Sequence, residues 1–133
     1  SATEVIKTLA DNLKKNKGSI VLFSTVAVKQ GFPNHAIVSS AKGAIEGLTL
    51  ALAAELAPNV RINCIAPSLT NSKISNFLLK NEKMAESIAK MHPLKRIGEG
   101  SDSASVAKFL LSEESSWITG QILGIDGGRS SVA

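Results

Sequence analysis

The chain of 133 residues contains no tyrosine and a single cysteine, and aromatic residues make up only 4% of it. Each shortage excludes something. One thiol, Cys64, allows no disulfide within the chain and no zinc site built on paired thiolates, and it suits a reducing compartment, so the cytoplasm is the expected location. With so few aromatics and no arginine cluster, there is neither a stacking platform for single strands nor a patch that reads base edges. No unbroken apolar run approaches the roughly 20 residues that cross a bilayer, and the opening Ser-Ala-Thr-Glu lacks the basic start and apolar body of a signal peptide. Neither a metal ion, a nucleic acid nor a membrane is therefore expected at this chain.

What is present fits one soluble α/β domain covering 1–133. Hydrophobic residues make up 44% and charged residues 20%, and the formal charge is +4. A chain of this length buries roughly two-thirds of its unfolded surface, enough for a real interior. The lysines at 14, 15 and 17 and at 80 and 83 read as solvated helix faces.

Residues 2–16 carry apolar groups at Val5, Ile6, Leu9 and Leu13, a helical spacing closed by Lys17-Gly18. The run Ser19-Ile20-Val21-Leu22-Phe23 is too short for an independent helix and reads as a strand covered on both faces. Val38, Ala41, Ala44, Ile45, Leu48, Leu52 and Leu56 form a helical stripe over 37–57. Gly43 and Gly47 weaken that helix, and tight packing along its small-residue side is the expected offset. Residues 60–66 alternate as a second strand stopped by Pro67, with Cys64 packed inside. Asn71 or Ser72 is expected to cap a helix through Ile74, Phe77, Leu78, Met84 and Ile88, broken near Lys80-Asn81. His92-Pro93 stops that region, and caps at Ser101-Asp102-Ser103 open a helix through Val106 to Leu111. Residues 120–128 read as a last strand ending in the Gly127-Gly128 turn. Strands separated by helices are the rhythm of a parallel sheet with crossover connections, here about three strands.

Four stretches, Gly-Ser-Ile-Val-Leu-Phe-Ser-Thr at 18–25, Ser-Ser-Ala-Lys-Gly-Ala at 39–44, Val-Arg-Ile-Asn-Cys-Ile-Ala-Pro at 60–67 and Ile-Thr-Gly-Gln-Ile-Leu-Gly-Ile-Asp-Gly-Gly at 118–128, resemble the short-chain dehydrogenase/reductase family in order and spacing. The resemblance implies the C-terminal half of a Rossmann-like, doubly wound parallel sheet and an NAD- or NADP-dependent oxidoreductase acting on a small carbonyl or alcohol. The family's glycine-rich turn, its ribose-recognising residue and its Asn-Asn-Ala-Gly strand end would all precede Ser1. Dinucleotide sites seat pyrophosphate on a helix N-terminus behind such a turn. Gly98-Glu99-Gly100 follows no strand and reads as a loop, so these residues alone are expected to hold the cofactor weakly.

In this family a tyrosine exchanges the proton at the substrate oxygen, a lysine four residues later lowers its pKa and holds the ribose, and a serine thirteen residues before the tyrosine bonds the substrate oxygen. Lys42 matches the lysine. The tyrosine position then falls on Val38 and the serine position on Thr25, beside Ser24. Valine has no titratable group, and losing general acid catalysis forfeits about 10² to 10⁴ in rate. Lys42 itself, or His35 through a water, remains open as a substitute donor. Thr25 reads either as a retained catalytic hydroxyl or as an ordinary polar residue at a strand end. The family's Pro-Gly appears as Pro67-Ser68, and Thr70 and Ser72 keep hydroxyls that would face the cofactor, although Ser72 serves equally as a helix cap. The added side chain at Ser68 is tolerable where its φ is negative. Residues 72–92 correspond to the family's mobile substrate cover, and Trp117 with Gly127-Gly128 to a strand and flanks that serve either subunit contacts or core packing.

Two functions follow. One is the substrate-side half of a nicotinamide-dependent oxidoreductase, inactive alone, which pairs with a cofactor-binding half. The other is a catalytically dead assembly or regulatory subunit that forms a homo-oligomer through the helix at 37–57. The first strand would lie inside the complete family sheet, so its apolar edge is expected to be exposed here and to recruit a partner.

Overall fold

A computed structural model describes residues 1–132, apart from the side chain of Leu78, whose expected apolar role lies outside the described residues. Helix α1 (Ala2–Lys15) begins with a capping box in which Ser1 Oγ accepts from the Glu4 amide. Strand β1 (Ser19–Phe23) leads to helix α2 (Ala36–Leu56), strand β2 (Arg61–Pro67) and two short helices, α3 (Asn76–Leu79) and α4 (Glu82–Lys90). Helix α5 (Gly100–Leu111), a 3₁₀ turn at Glu113–Ser115 and strand β3 (Ile122–Ile125) complete the order.

The sheet is parallel with order β1-β2-β3, its register running from Ser19 opposite Arg61 and from Cys64 opposite Ile122. The central strand β2 is the most deeply covered. Its Ile62 joins Ile6 of α1, Ala53 and Leu56 of α2, and Val60 in the main apolar cluster. Alternation along the strand turns Arg61 and Asn63 to the opposite face, where Arg61 reaches the Leu110 carbonyl of α5. Helices thus cover both faces of the sheet, and the polar Arg61 and Asn63 of β2 are accommodated by hydrogen bonds to the end of α5 and the segment after it. Full burial of an Ile or Leu such as Ile62, Ile65 or Leu110 stabilises by roughly 1.5–3 kcal/mol each.

Several expectations change. The second strand includes Pro67, whose carbonyl accepts from the Val26 amide while its missing N–H costs nothing at the strand end. The third is four residues long, because positive φ at Gly120 and Gly127 turns the chain on either side of it. Ser75, not Asn71 or Ser72, precedes α3, since the Ser72 hydroxyl accepts from the Ser75 amide and closes a turn before the helix starts. The N-cap position of α5 is Glu99, earlier than expected, while Asp102, one of the expected capping residues, accepts from the Glu99 amide. The break near Lys80-Asn81 is real, and the Asn81 side chain caps α4 through the Met84 amide.

The small-residue side of α2 is not tightly packed within this chain. Nothing lies within 4 Å of where a Cβ on Gly47 would stand, and Gly43 would meet only Val28 Cγ1 at 3.7 Å. The helix buries Thr49, Ala53 and Leu56 instead, while Gly47 is exposed and Gly43 half-buried. This 21-residue helix, with mean hydropathy 1.3 over its best 18-residue window, is also long and apolar enough to span a bilayer by length and composition, which the expectation of no such run had overlooked; scattered Lys42 and Glu46 hid it from a search for unbroken apolar residues. Trp117 is 99% exposed, which overturns core packing as its role. Strand β1 pairs on one side only, with β2, so its outer edge is free among the described residues.

Candidate active site

The C-terminal ends of the three strands are stitched together by backbone hydrogen bonds: the Ser24 amide donates to Ile65 O, Val26 to Pro67 O, and Ser68 to Ile125 O. In open α/β sheets ligands bind beyond these carboxyl ends, where side chains are not needed for packing. Thr25, Pro67 and Ser68 are thereby held at one end of the sheet. Thr25 Oγ1 accepts from the Ala27 amide at 3.3 Å, which leaves its own hydrogen free to donate. Helix α2 brings Lys42 to the same end, where its ammonium donates to Phe23 O at 2.9 Å.

One turn earlier on α2 stands Val38, 47% exposed, an aliphatic side chain at a position where a proton donor is expected. His35 precedes that helix on the surface, its Nδ1 2.8 Å from Pro33 O and its ring edge against Phe32. Ser24 is buried and donates to the Glu46 carboxylate. Thr70 Oγ1 donates to Ser68 O at 3.0 Å, and Gly98 pairs with Thr70 in a short bridge. The Ser72 hydroxyl is engaged in the turn with Ser75. Ser68 adopts no positive φ, so the added side chain carries no backbone strain.

Beside Ser68 the sequence reading missed a partner. His92, treated there only as a helix stop, is 2% exposed and places Nε2 2.8 Å from Ser68 Oγ, with Nδ1 2.9 Å from Ile88 O. No local spacing announces a pair 24 residues apart; the one available signal was a hydroxyl residue where the family's glycine is expected. The pair lines a cleft of about 570 Å³ together with Leu69, Arg96, Asp126 and Gly127. Gly128, at φ +87°, closes the turn at its wall, where a Cβ would lie 2.8 Å from Val132 Cγ2. Burial opposes ionisation of Asp126, but hydrogen bonds from Ser130 and the Gly128 amide outweigh it and hold the carboxyl below its ordinary value. Burial pushes the Cys64 thiol up, so it stays protonated.

Three parallel strands in one sheet with helices between them define a partial Rossmann-like α/β fold. The sequence profile of the family described as enoyl-(acyl carrier protein) reductase matches residues 1–130. The human protein named dehydrogenase/reductase SDR family member 4 is 38% identical over 119 residues, covering 89% of this chain and 43% of its own length. A short-chain type dehydrogenase/reductase from Mycobacterium ulcerans superposes with TM-score 0.88 at 31% identity, covering 95% of this chain and 46% of that one. ElxO with NADP bound superposes with TM-score 0.87 at 32% identity, covering 95% and 52%. This chain belongs to the short-chain dehydrogenase/reductase family, a family of oxidoreductases, and it spans less than half the length of the curated human relative it matches.

Proposed function

We propose that these residues form the substrate side of an NAD- or NADP-dependent oxidoreductase site that has lost its proton donor. Lys42 carries the reading: it lies one helical turn beyond Val38, with its ammonium at the end of β1 two residues from Thr25. An ammonium has three donors, and one is used on Phe23 O, which leaves two for ribose hydroxyls. The NADP bound to ElxO supports a nicotinamide cofactor, which when bound would give or accept hydride at a substrate carbon.

The residues fit the nicotinamide end of such a cofactor and not its pyrophosphate end. Thr25 has a free hydrogen for a carbonyl oxygen, and the Thr70 hydroxyl stands beyond Pro67-Ser68 on the same strand end. No strand among those described runs through a glycine-rich turn into a helix, so pyrophosphate finds no nest of amides in them. In carbonyl reduction Thr25 would orient the oxygen and Lys42 the ribose, while Val38 supplies no proton. Slow or absent turnover and weak cofactor affinity by these residues alone follow. Titrating NADH and NADPH against the purified chain by fluorescence, with a panel of small carbonyls, tests this; robust turnover would overturn it.

An assembly or regulatory role is favoured by one separate observation. Among the described residues, the surface of α2 at Gly47 and the outer edge of β1 have no partner. Homo-oligomerisation through α2, or pairing of β1 with a cofactor-binding segment, would cover them. Sedimentation at high concentration should show a stable oligomer, and a monodisperse monomer would count against this role. A cytoplasmic setting belongs to the same proposal, Cys64 being a buried free thiol.

A further inference from the structure

The hydroxyl–imidazole pair Ser68–His92 plays no part in the hydride chemistry above. We propose that it is an acyl-transfer centre, with Ser68 as nucleophile and His92 as general base, acting on small carboxylic esters. A carbonyl oxygen has no hydrogen to give, so at 2.9 Å from Ile88 O the His92 Nδ1 must carry one. In the neutral ring Nε2 then bears the lone pair, and at 2.8 Å the Ser68 hydroxyl donates to it. The third group that a nucleophile–base pair needs, one that fixes the base's tautomer and orientation, is here a backbone carbonyl. His92 is 2% exposed, so the ring is held in place by packing and by these two contacts.

The surroundings agree with the chemistry. Ser68 directly follows the last residue of β2, at the carboxyl end of a central parallel strand, and it lines the 570 Å³ cleft, a volume suited to a small ligand. Among the described residues the amide of Leu69, next after the nucleophile and lining the same cleft, donates to no partner. A free amide in that position is the donor an oxyanion requires. Leu69, Leu94 and Ile125 give the cleft an apolar wall for a short acyl chain.

In the reaction Ser68 Oγ bonds to the ester carbonyl carbon as its proton passes to His92 Nε2. Collapse of the tetrahedral intermediate breaks the bond to the alkoxy oxygen, which leaves with that proton as the alcohol. Water then attacks the acyl-serine, again giving its proton to Nε2, and the acid departs as Ser68 recovers its hydrogen. No oxidant or cofactor is needed.

The test is incubation of the purified chain with a fluorophosphonate probe, mapping of the adduct by peptide mass spectrometry, and hydrolysis of p-nitrophenyl butyrate. The proposal expects one adduct, on Ser68, none on Ser68→Ala, and labelling and hydrolysis at least ~100-fold slower in His92→Gln. Circular dichroism establishes that each variant is folded. Absence of a Ser68 adduct in the folded native chain under excess probe overturns the proposal, and so does labelling that His92→Gln leaves unchanged; the adduct map on the native chain decides the matter even if a variant fails to fold.

Discussion

The two ends of the same three-stranded sheet are built on opposite plans. At the N-terminal end the polar side chains of β2 are spent on holding the chain together: Arg61 donates to Leu110 O, Ser112 O, Ile118 O and Ser115 Oγ, and Asn63 binds Ile118 O and the Gln121 amide. At the C-terminal end Thr25 keeps a free hydrogen, Lys42 has donors to spare, and the Ser68–His92 pair faces an open cleft. One end ties the loop between α5 and β3 to the central strand, and the other leaves chemistry uncommitted. Substitutions at the first should therefore cost stability, and those at the second should cost activity and little else.

The largest stability effect is expected at Arg61→Ala, which removes four hydrogen bonds from a charged donor to Leu110 O, Ser112 O, Ile118 O and the buried Ser115. Hydrogen bonds to charged groups contribute roughly 1.5–3 kcal/mol, and shared partners make their losses less than additive, so a loss of about 3 kcal/mol is expected in urea unfolding. Asn63→Ala should cost about 2 kcal/mol by leaving the Gln121 amide and the Ile118 carbonyl without that partner. Acid should weaken the fold through Asp102, which its hydrogen bond with Arg96 and the Glu99 amide lower to about 2. A carboxyl whose folded pKa is depressed contributes stability above its unfolded value and loses that contribution as pH falls, so the thermal midpoint should drop between about pH 4 and pH 2. In Asp102→Asn that decline should be shallower. The smallest effect is expected at the carboxyl end: Lys42→Met should shift stability by less than about 0.5 kcal/mol, since its bond to Phe23 O is exposed. A large loss there would break the contrast between the two ends.

Much of this was legible in the sequence. Strand β1, helix α2 and strand β2 fall within a residue or so of where the apolar run at 19–23, the helical stripe and the alternation before Pro67 place them. Lys42 and Thr25 were picked out by the family resemblance and its motif offsets, and the fold holds both at the carboxyl end of the sheet. His92 was not, since its meaning comes from a contact with Ser68 across a chain reversal that no periodicity encodes. The caps at Ser75 and Glu99 were misplaced because serine, aspartate and asparagine abound near both starts, and only the hydrogen bonds choose among them. An exposed glycine such as Gly47 looks the same in sequence as a packed one.

The central claim, that hydride chemistry here lacks its proton donor at residue 38, is tested most directly by single-turnover carbonyl reduction with Val38 and with Val38→Tyr, each carried in a chain that also bears the family's nucleotide-binding segment. A rise of about 10²-fold or more on restoring the phenol is predicted. Equal rates in the two proteins would contradict it.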